Sequence, residues 1–218
     1  GFLSGNTGTQ TGGWFRDELT SLDDVKGVRF RTPGLGGRVW EKLGATVTNM
    51  AAGEIFQALQ SGTLDAAEFV GPYNDLALGF HQVAKNYYMP SFVESGLATE
   101  LVVDKKKYQE LPEDLQAIIR DVSQAEYDQV AADFYANDPR ALKTLVEEHG
   151  VTVRNFPDDI MEAGAKASVE VVEELRSSDD PLVKKTADSF VEALNLVRTR
   201  TEKIDSPYIQ ARQSFLKY

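Results

Sequence analysis

The sequence predicts an α/β fold with an open sheet, followed by a helical C-terminal region. Two strand–helix–strand units follow one another between Val28 and Val70, which favours parallel strands in one sheet. From Leu111 onward, apolar residues recur at helical spacing instead. With 218 residues and 42% hydrophobic content, the chain is long enough for one large domain or two small lobes.

The composition excludes several classes of function. The chain has no cysteine, so it can form no disulfide, thiol nucleophile or thiolate metal site. Its net charge of −11 argues against nucleic acid as a partner. No apolar run reaches the ~18 residues that a membrane span requires. An acidic protein can still bind an acid, but it needs a local cation, which is an Arg or a metal ion.

The first part of the chain alternates between loops, strands and helices. A Gly- and Thr-rich stretch, Gly5–Gly13, exposes backbone N–H groups and contains two amide side chains, Asn6 and Gln10. From residues alone it is either a ligand loop or a flexible terminus. The regular elements expected after it are a strand at Val28–Arg31, a helix at Gly37–Leu43, a strand at Ala45–Met50 and a helix at Gly53–Ser61.

The stretch Leu59–Pro72 carries a carboxylate at the end of an apolar strand. Gly62 is expected just past the helix end, and Gly71-Pro72 forces a turn after the apolar run. Glu68 falls where that run stops, and a buried carboxylate needs a partner. The sequence leaves two readings open, a structural ion pair or a metal or ligand site at the carboxyl end of a strand.

Arg31 ends the strand Val28–Arg31, just before Thr32-Pro33-Gly34. An Arg at that position can present its planar guanidinium to a carboxylate in a bidentate pair. The alternative is a surface salt bridge. Further along, Glu94 is expected at the end of another apolar strand, before Ser95-Gly96.

The rest of the chain is predicted to be mainly helical. A short helix is expected at Asn74–Ala84 and a strand at Leu97–Val103. The helix from Leu111 should bury an apolar stripe and break or kink at Pro139. The stripe consists of Leu115, Ile118, Ile119, Val122, Ala125, Ala131 and Phe134. Helices are also predicted at Pro157–Arg176, Asp180–Lys203 and Ser206–Tyr218. His81 and His149 lack neighbours at metal-ligand spacing and are interpreted as structural or exposed.

Four motifs in a fixed order resemble one family. They are GNTGTQTGGWF (Gly5–Phe15), LDDVKGVRFRTPG (Leu22–Gly34), ALQSGTLDAAEFVGPYND (Ala58–Asp75) and YYMPSFVESG (Tyr87–Gly96). Together they resemble the solute-binding proteins of TRAP (tripartite ATP-independent periplasmic) transporters, the DctP-like family, and within it the 2-oxoacid/monocarboxylate-binding subgroup. Four ordered motifs are a far more specific signal than one short pattern.

The resemblance implies a two-lobed fold like that of the type II periplasmic binding proteins, with open mixed sheets and long C-terminal helices. Residues 1–96 are expected to form mainly the second ligand-binding lobe, 97–110 a hinge or crossover strand region, and 111–218 a helical region that braces the lobes. The first lobe is expected to be largely missing, together with the signal peptide, so the chain is interpreted as N-terminally incomplete. The implied location is the periplasm.

The resemblance also implies a site and its chemistry. Arg31 would clamp the carboxylate of a small organic acid such as pyruvate or lactate. Oxygen donors without His or Cys suit sodium, calcium or magnesium, and the resemblance implies sodium or calcium. Two carboxylates near one cation would leave the site close to neutral. The implied ligand contacts are Asn6, Gln10, Arg31, Glu68 and Phe69, and the implied metal ligands are Gln10, Glu68, Phe69 through its carbonyl, and Glu94. Phe69 stands where the subgroup usually has Trp, which leaves the acid undetermined.

The implied function is a binding protein that delivers the acid to the membrane subunits of a TRAP transporter. Homodimers through exchanged C-terminal helices are known in the family, but an apolar stripe fits intramolecular packing equally well. An enzyme is the alternative: a metal-dependent hydrolase or a glycosidase could use Glu68 and Glu94. The sequence offers no nucleophile–base arrangement to support catalysis. A ligand sensor on the same fold is the third reading.

Overall fold

A six-stranded mixed sheet organises the first part of the chain in the computed structural model, which describes residues 1–216. The strands are β1 (Phe2–Asn6), β2 (Gly13–Phe15), β3 (Arg29–Arg31), β4 (Thr46–Thr48), β5 (Ala66–Ala67), β6 (Asn86–Tyr88), β7 (Ala98–Leu101) and β8 (Thr152–Arg154). The helices are α1 (Gly34–Lys42), α2 (Ala52–Ser61), α3 (Pro72–Leu78), α4 (Lys105–Glu110), α5 (Glu113–Glu147), α6 (Asp158–Arg176), α7 (Pro181–Arg200) and α8 (Ser206–Phe215). The predicted α/β fold with open mixed sheets and long C-terminal helices is confirmed.

The order of the strands across the large sheet is β4-β3-β5-β2-β6-β8. The pairs β3–β4, β3–β5 and β6–β8 are parallel. For the first two pairs, the two strand–helix–strand units in the sequence predicted this orientation. Strand β2 is antiparallel to both β5 and β6, which makes the sheet mixed. Strands β1 and β7 form a separate antiparallel pair.

The two faces of the large sheet are covered by different aromatic groups. Successive side chains of a strand point to opposite faces, so Trp14 and Phe15 of β2 serve different sides. Trp14 stacks on Tyr87 with ring centroids 4.0 Å apart, in a cluster with Ile55 and Leu59 of α2. The other cluster contains Phe15, Phe30, Trp40, Tyr88 and Phe156. This double packing fixes the short strands whose ends carry the site.

Two helix predictions need correction. The segment predicted as one helix at Asn74–Ala84 is divided at Gly79, whose φ of 74° ends α3 before a 3₁₀ turn at Phe80–Gln82. Pro139 was predicted to break or kink the long helix, and the break is excluded, since α5 continues through it to Glu147. A proline removes one helical hydrogen bond, and the turns on both sides here preserve the helix.

The apolar stripe of α5 is also not buried as predicted. Leu115, Ile118 and Val122 are 42%, 55% and 52% exposed, while Ala141 and Leu145 near the end of the helix are buried. Helical spacing predicted the helix correctly, but it did not identify the face that packs.

The described chain divides into two compact units, the first covering residues 1–168 and the second beginning at Val169. The predicted boundaries, after residues 96 and 110, separate segments by their expected role and not by compactness. That division into roles remains a prediction. Helices α7 and α8 lie in the second unit, joined by a π-helical turn at Thr201–Asp205. The end of the predicted C-terminal tail, residues 217 and 218, lies outside the described residues. No helix within residues 1–216 is long and apolar enough to cross a membrane.

Candidate functional site

Arg31 and Glu68 lie at the same edge of the large sheet. Strands β3 and β5 are parallel neighbours in the sheet, and Arg31 ends β3 while Glu68 comes directly after β5. The Glu68 N–H donates to the carbonyl of Arg31 at 2.9 Å, so the main chains remain paired at this point. The sequence prediction that both residues mark strand ends is confirmed. Carboxyl ends of parallel strands are where open α/β sheets bind ligands.

The Arg31 side chain is buried and fixed by carbonyl groups. Its Nη1 donates to the carbonyl of Glu68 at 2.5 Å and its Nε to the carbonyl of Met50 at 3.3 Å. The guanidinium carbon lies 5.7 Å from the centroid of the Phe69 ring. Burial lowers the pKa of Arg31, and the nearby Glu68 and Glu94 carboxyls oppose that shift. The buried guanidinium is therefore a pre-oriented binding group for an anion.

The carboxyl group of Glu68 is buried and only partly satisfied. Its Oε2 accepts from Thr32 Oγ1 at 3.5 Å and lies 4.0 Å from Arg31 Nη1, while its Oε1 has no hydrogen-bond partner. Burial, and after it the Glu94 carboxyl, raise the pKa of Glu68 to about 8 against the opposing effect of Arg31. A buried oxygen without a partner is costly, and a cation would satisfy it.

Gln10 presents a second such oxygen. Its Nε2 donates to Thr7 Oγ1 at 3.1 Å, and Thr7 in turn accepts from the N–H of Leu97 and donates to the carbonyl of Gly8. This chain of bonds orients the amide, and Oε1 of the buried Gln10 has no partner. Within residues 1–216, four buried side-chain atoms lack a hydrogen bond, and the oxygens of Gln10 and Glu68 are two of them.

Glu94 belongs to a loop instead of the strand end that the sequence suggested. Its N–H donates to Ser91 Oγ at 3.0 Å, and the Ser91 N–H donates to the carbonyl of Gln10 at 3.1 Å. The bend after Pro90 replaces the predicted strand there, because side-chain hydrogen bonds from serine compete with strand pairing. Burial raises the pKa of the half-buried Glu94, with Arg31 opposing. Glu94 is thus electrostatically coupled to Glu68 and Arg31.

Asn6 has both polar ends engaged within the protein. Its Oδ1 accepts from the N–H of Gly8, and its Nδ2 donates to the hydroxyl of Tyr127 on α5, each at 2.8 Å. Asn6 therefore ties the Gly-rich loop to α5. Phe69 is half-buried, and its ring meets Phe80 edge-on with centroids 6.3 Å apart. The structure brings Arg31, Glu68, Phe69 and Glu94 together, and the main chain of Gln10 is joined to the Glu94 loop through Ser91.

Asp75 is the site-adjacent residue that sequence reasoning missed. It is fully buried on α3 and accepts from Trp14 Nε1 and the Tyr87 hydroxyl, each at 2.8 Å. In the sequence it falls in the first turn of a helix, where an acidic residue is ordinary. Its partners lie 61 and 12 residues away, so no local pattern identified it.

Metal chemistry at this edge depends on hard oxygen donors. No three His, Cys, Asp or Glu side chains form a metal cluster in the part of the chain that the structure describes. The predicted donors do not require such a cluster, since they comprise two carboxylates, one amide oxygen and one backbone carbonyl. Such a set fits sodium or calcium, and the partnerless oxygens of Gln10 and Glu68 are its structural counterpart.

The open mixed sheet carries a buried Arg and a buried carboxyl at the ends of β3 and β5, an arrangement typical of α/β ligand-binding proteins. The chain belongs to the bacterial extracellular solute-binding proteins of family 7 (DctP), whose sequence profile matches residues 1–179. Members of this family are solute-binding receptors, and the resemblance seen in the sequence is confirmed.

One characterised relative is the monocarboxylate 2-oxoacid-binding periplasmic protein of Nostoc sp.. It is 37% identical over 178 residues, which cover 82% of this chain and 49% of that protein. The chain thus spans about half the length of this relative.

Two crystal structures of TRAP periplasmic solute-binding proteins are also similar. The one from Pseudoalteromonas atlantica, with bound sodium and pyruvate, has a TM-score of 0.89 and 35% identity over 96% of this chain and 63% of that chain. The one from Colwellia psychrerythraea, with bound calcium and pyruvate, has a TM-score of 0.90 and 37% identity over 96% of this chain and 64% of that chain. Sodium and calcium therefore both accompany the ligand among structural neighbours.

Proposed function

We propose that this chain is the ligand-binding part of an extracytoplasmic TRAP solute-binding protein, located in the periplasm. Its ligand is a small 2-oxo or 2-hydroxy monocarboxylate such as pyruvate or lactate, held together with a sodium or calcium ion. The protein delivers that acid to the membrane subunits of the transporter. The observation that carries the proposal is the pair of buried, partnerless oxygens on Gln10 and Glu68, at a sheet edge that also carries the buried Arg31.

Each site residue has a distinct role in this proposal. Gln10, Glu68, Glu94 and the carbonyl of Phe69 supply the oxygens for the ion, and Arg31 pairs with the ligand carboxylate. Two carboxylates around one cation leave a nearly neutral site, so a negatively charged acid can approach an acidic protein. The Asn6 amide group has two hydrogens, and only one of them is needed for the bond to the Tyr127 hydroxyl. The other is available to donate to the ligand.

The ring of Phe69 is the proposed determinant of ligand size. It borders Arg31, and the subgroup that the sequence resembles usually carries Trp there. A smaller ring at this position leaves more room beside the guanidinium. Acids with a longer chain than pyruvate are therefore included among the candidate ligands.

The proposed segment roles follow the same scheme. Residues 1–96 carry the site residues, 97–110 form the crossover region, and 111–218 form the helical region. Support for the crossover comes from β7, which pairs with β1 and begins next to the Leu97 carbonyl that accepts from the N–H of Thr7 at 3.0 Å. The lobe closure expected of such receptors would pivot there.

An enzyme is the second candidate, because the pKa values of Glu68 and Glu94 are both raised, as in acid/base pairs. The absence of a nucleophile–base pattern in the sequence and the receptor character of the family favour the binding protein. We therefore propose that bound acid leaves chemically unchanged.

Titration calorimetry on metal-stripped protein tests the proposal. Pyruvate, lactate and a longer 2-oxoacid are added with sodium, with calcium, or with neither, and acetate serves as the control that lacks the second oxygen. We expect binding of the 2-oxoacids only with an ion, and acetate binding weaker by roughly tenfold or more. Equal pyruvate affinity with and without ions, or formation of a product from any acid, would contradict the proposal.

A further inference from the structure

A closed ring of hydrogen bonds joins four residues beside the candidate site. Asp75 accepts from the Tyr87 hydroxyl at 2.8 Å, and that hydroxyl accepts from Thr11 Oγ1 at 3.1 Å. The Thr11 N–H donates to the carbonyl of Val70 at 3.1 Å, and the Val70 N–H donates back to Asp75 at 3.4 Å. Trp14 adds an indole N–H to the same carboxylate.

The ring joins the two segments that carry the partnerless oxygens. Thr11 follows Gln10 directly, and Val70 lies two residues after Glu68. The two segments pair as strands β2 and β5, and the bond between Thr11 and Val70 extends that pairing towards Gln10. Asp75 and Tyr87 brace this bond from the α3 and β6 sides. A shift of either side of the ring would move one oxygen donor relative to the other.

We propose that Asp75 is a positioning residue that, through Tyr87, Thr11 and Val70, sets the separation of the Gln10 and Glu68 oxygens and thereby the affinity for the cation. The effect on cation affinity rests on the proposed function, whereas the ring of hydrogen bonds does not. Groups that orient metal ligands without touching the ion commonly control affinity by about 10–100-fold. Asp75 does not bond to Gln10 or Glu68 directly but acts through Tyr87 and Val70, so we expect an effect at the lower end of that range.

The Asp75 carboxyl is buried at an electrostatic cost. Burial raises the pKa of Asp75 to about 6, and the hydrogen bonds from Trp14 and Tyr87 only partly oppose that shift. The fold therefore carries a carboxylate that is unfavourable when ionised. Such a residue suits a position where three donors must be held in a fixed arrangement.

Tyr87→Phe tests the inference, with Tyr88→Phe as its matched control. Each substitution removes one buried hydroxyl from β6. Among residues 1–216, the Tyr88 hydroxyl bonds only to the main chain of Leu19, at 2.7 Å from its N–H and 3.2 Å from its carbonyl, outside the ring. Calcium affinity is measured by calorimetry, the unfolding temperature by thermal scanning, and amide exchange at Thr11 by NMR or mass spectrometry.

We expect Tyr87→Phe to weaken calcium binding by about tenfold and to speed exchange at the Thr11 amide. Tyr88→Phe should lower the unfolding temperature by a similar amount without either effect. Thr11→Ser should retain wild-type affinity, whereas Thr11→Val should behave like Tyr87→Phe.

Equal effects of the two tyrosine substitutions on both affinity and exchange would overturn the inference, because a general loss of stability would then explain them. If the wild-type chain binds neither ion nor acid, the proposed function fails, and the exchange comparison alone decides the inference. Unchanged Thr11 exchange in Tyr87→Phe would then count against it.

Discussion

Arg31 bonds to the main chain of Glu68 in preference to its carboxylate. The Nη1 of Arg31 lies 2.5 Å from the Glu68 carbonyl but 4.0 Å from the nearest carboxylate oxygen. A structural ion pair would show the reverse, with close bidentate contacts and a lowered carboxyl pKa. The pKa of Glu68 is instead raised to about 8, chiefly by burial. The two side chains are therefore held next to each other without forming a close ion pair, as expected where each binds a further partner.

The first prediction concerns the anion clamp. Arg31→Ala should weaken pyruvate binding by roughly 30-fold or more, since loss of a buried charge partner costs about 2–5 kcal/mol. Calcium affinity should change by less than about tenfold, because Arg31 repels a cation and only modestly favours the ionised form of Glu68. Titration calorimetry of both ligands measures the two effects.

Arg29→Ala is the matched control for the clamp. Arg29 lies on the same strand, but its side chain is 46% exposed and pairs with Asp65. Exposed pairs contribute ~0–1 kcal/mol to stability, so both affinities should stay at the wild-type level. If Arg29→Ala weakened pyruvate binding as much as Arg31→Ala, the assignment of the clamp would be wrong.

The second prediction concerns the carboxylate donor. Glu68→Gln should reduce calcium affinity by about 100-fold, because a charged oxygen donor becomes a neutral one, and pyruvate binding should fall with it. In the metal-free protein at pH 7 the unfolding temperature should change little, since Glu68 is then largely protonated and Gln has nearly the same shape. Calorimetry and thermal scanning in a chelating buffer provide both readouts. Undiminished affinity for both ligands would refute the role of Glu68.

Local sequence signals were sufficient for the strand ends of the site. The apolar run before Glu68 and the alternation before Arg31 each lie within one strand, and the structure places both residues at the ends of β5 and β3 as predicted. The left-handed Gly62 at the end of α2, with φ of 74°, was also predicted from its neighbours alone. Such features depend on residues a few positions apart.

The features that could not be predicted depend on distant partners. Tyr127 lies 121 residues from Asn6, and Trp14 lies 61 residues from Asp75, so no local pattern identified either contact. The Glu94 loop was mistaken for a strand end because apolar residues precede it, although serine side-chain bonds shape that segment. The exposed stripe of α5 shows that helical periodicity predicts a helix but not its packing partner.

The third prediction concerns the close approach of β2 to β5. Gly13 has a φ of 110°, and a Cβ there would lie 2.7 Å from the Ala67 carbonyl oxygen and 3.0 Å from Glu68 Cα. Gly13→Ala should therefore lower the free energy of unfolding by about 3 kcal/mol or more, from backbone strain and overpacking together. It should also weaken calcium binding, because it displaces the main chain of Glu68.

Gly27→Ala separates strain from the steric contact. Gly27 has a φ of 77°, but a Cβ there would meet no atom within 4 Å. Only the strain of the left-handed conformation remains, about 1–2 kcal/mol, and calcium affinity should be unaffected. Denaturant unfolding of the two variants measures the difference. Similar losses of stability in both would show that the β2–β5 contact is not tight.

The last prediction concerns the pH dependence of Asp75. Its pKa rises from 3.8 to about 6, mainly through burial, so the folded state holds the proton more tightly than the unfolded state. Stability contributed by this group is fully present below pH 3.8 and is lost as the pH rises to about 6. Compared with Asp75→Asn, whose side chain does not titrate, the wild-type protein should lose about 2 kcal/mol of unfolding free energy between pH 4 and pH 7. Urea unfolding of both proteins across this range measures the effect, because all other titrating groups are shared, although the pKa of Glu68 should fall in Asp75→Asn. The difference should level off above about pH 6 to 7, and a difference that did not vary with pH would show that Asp75 titrates normally.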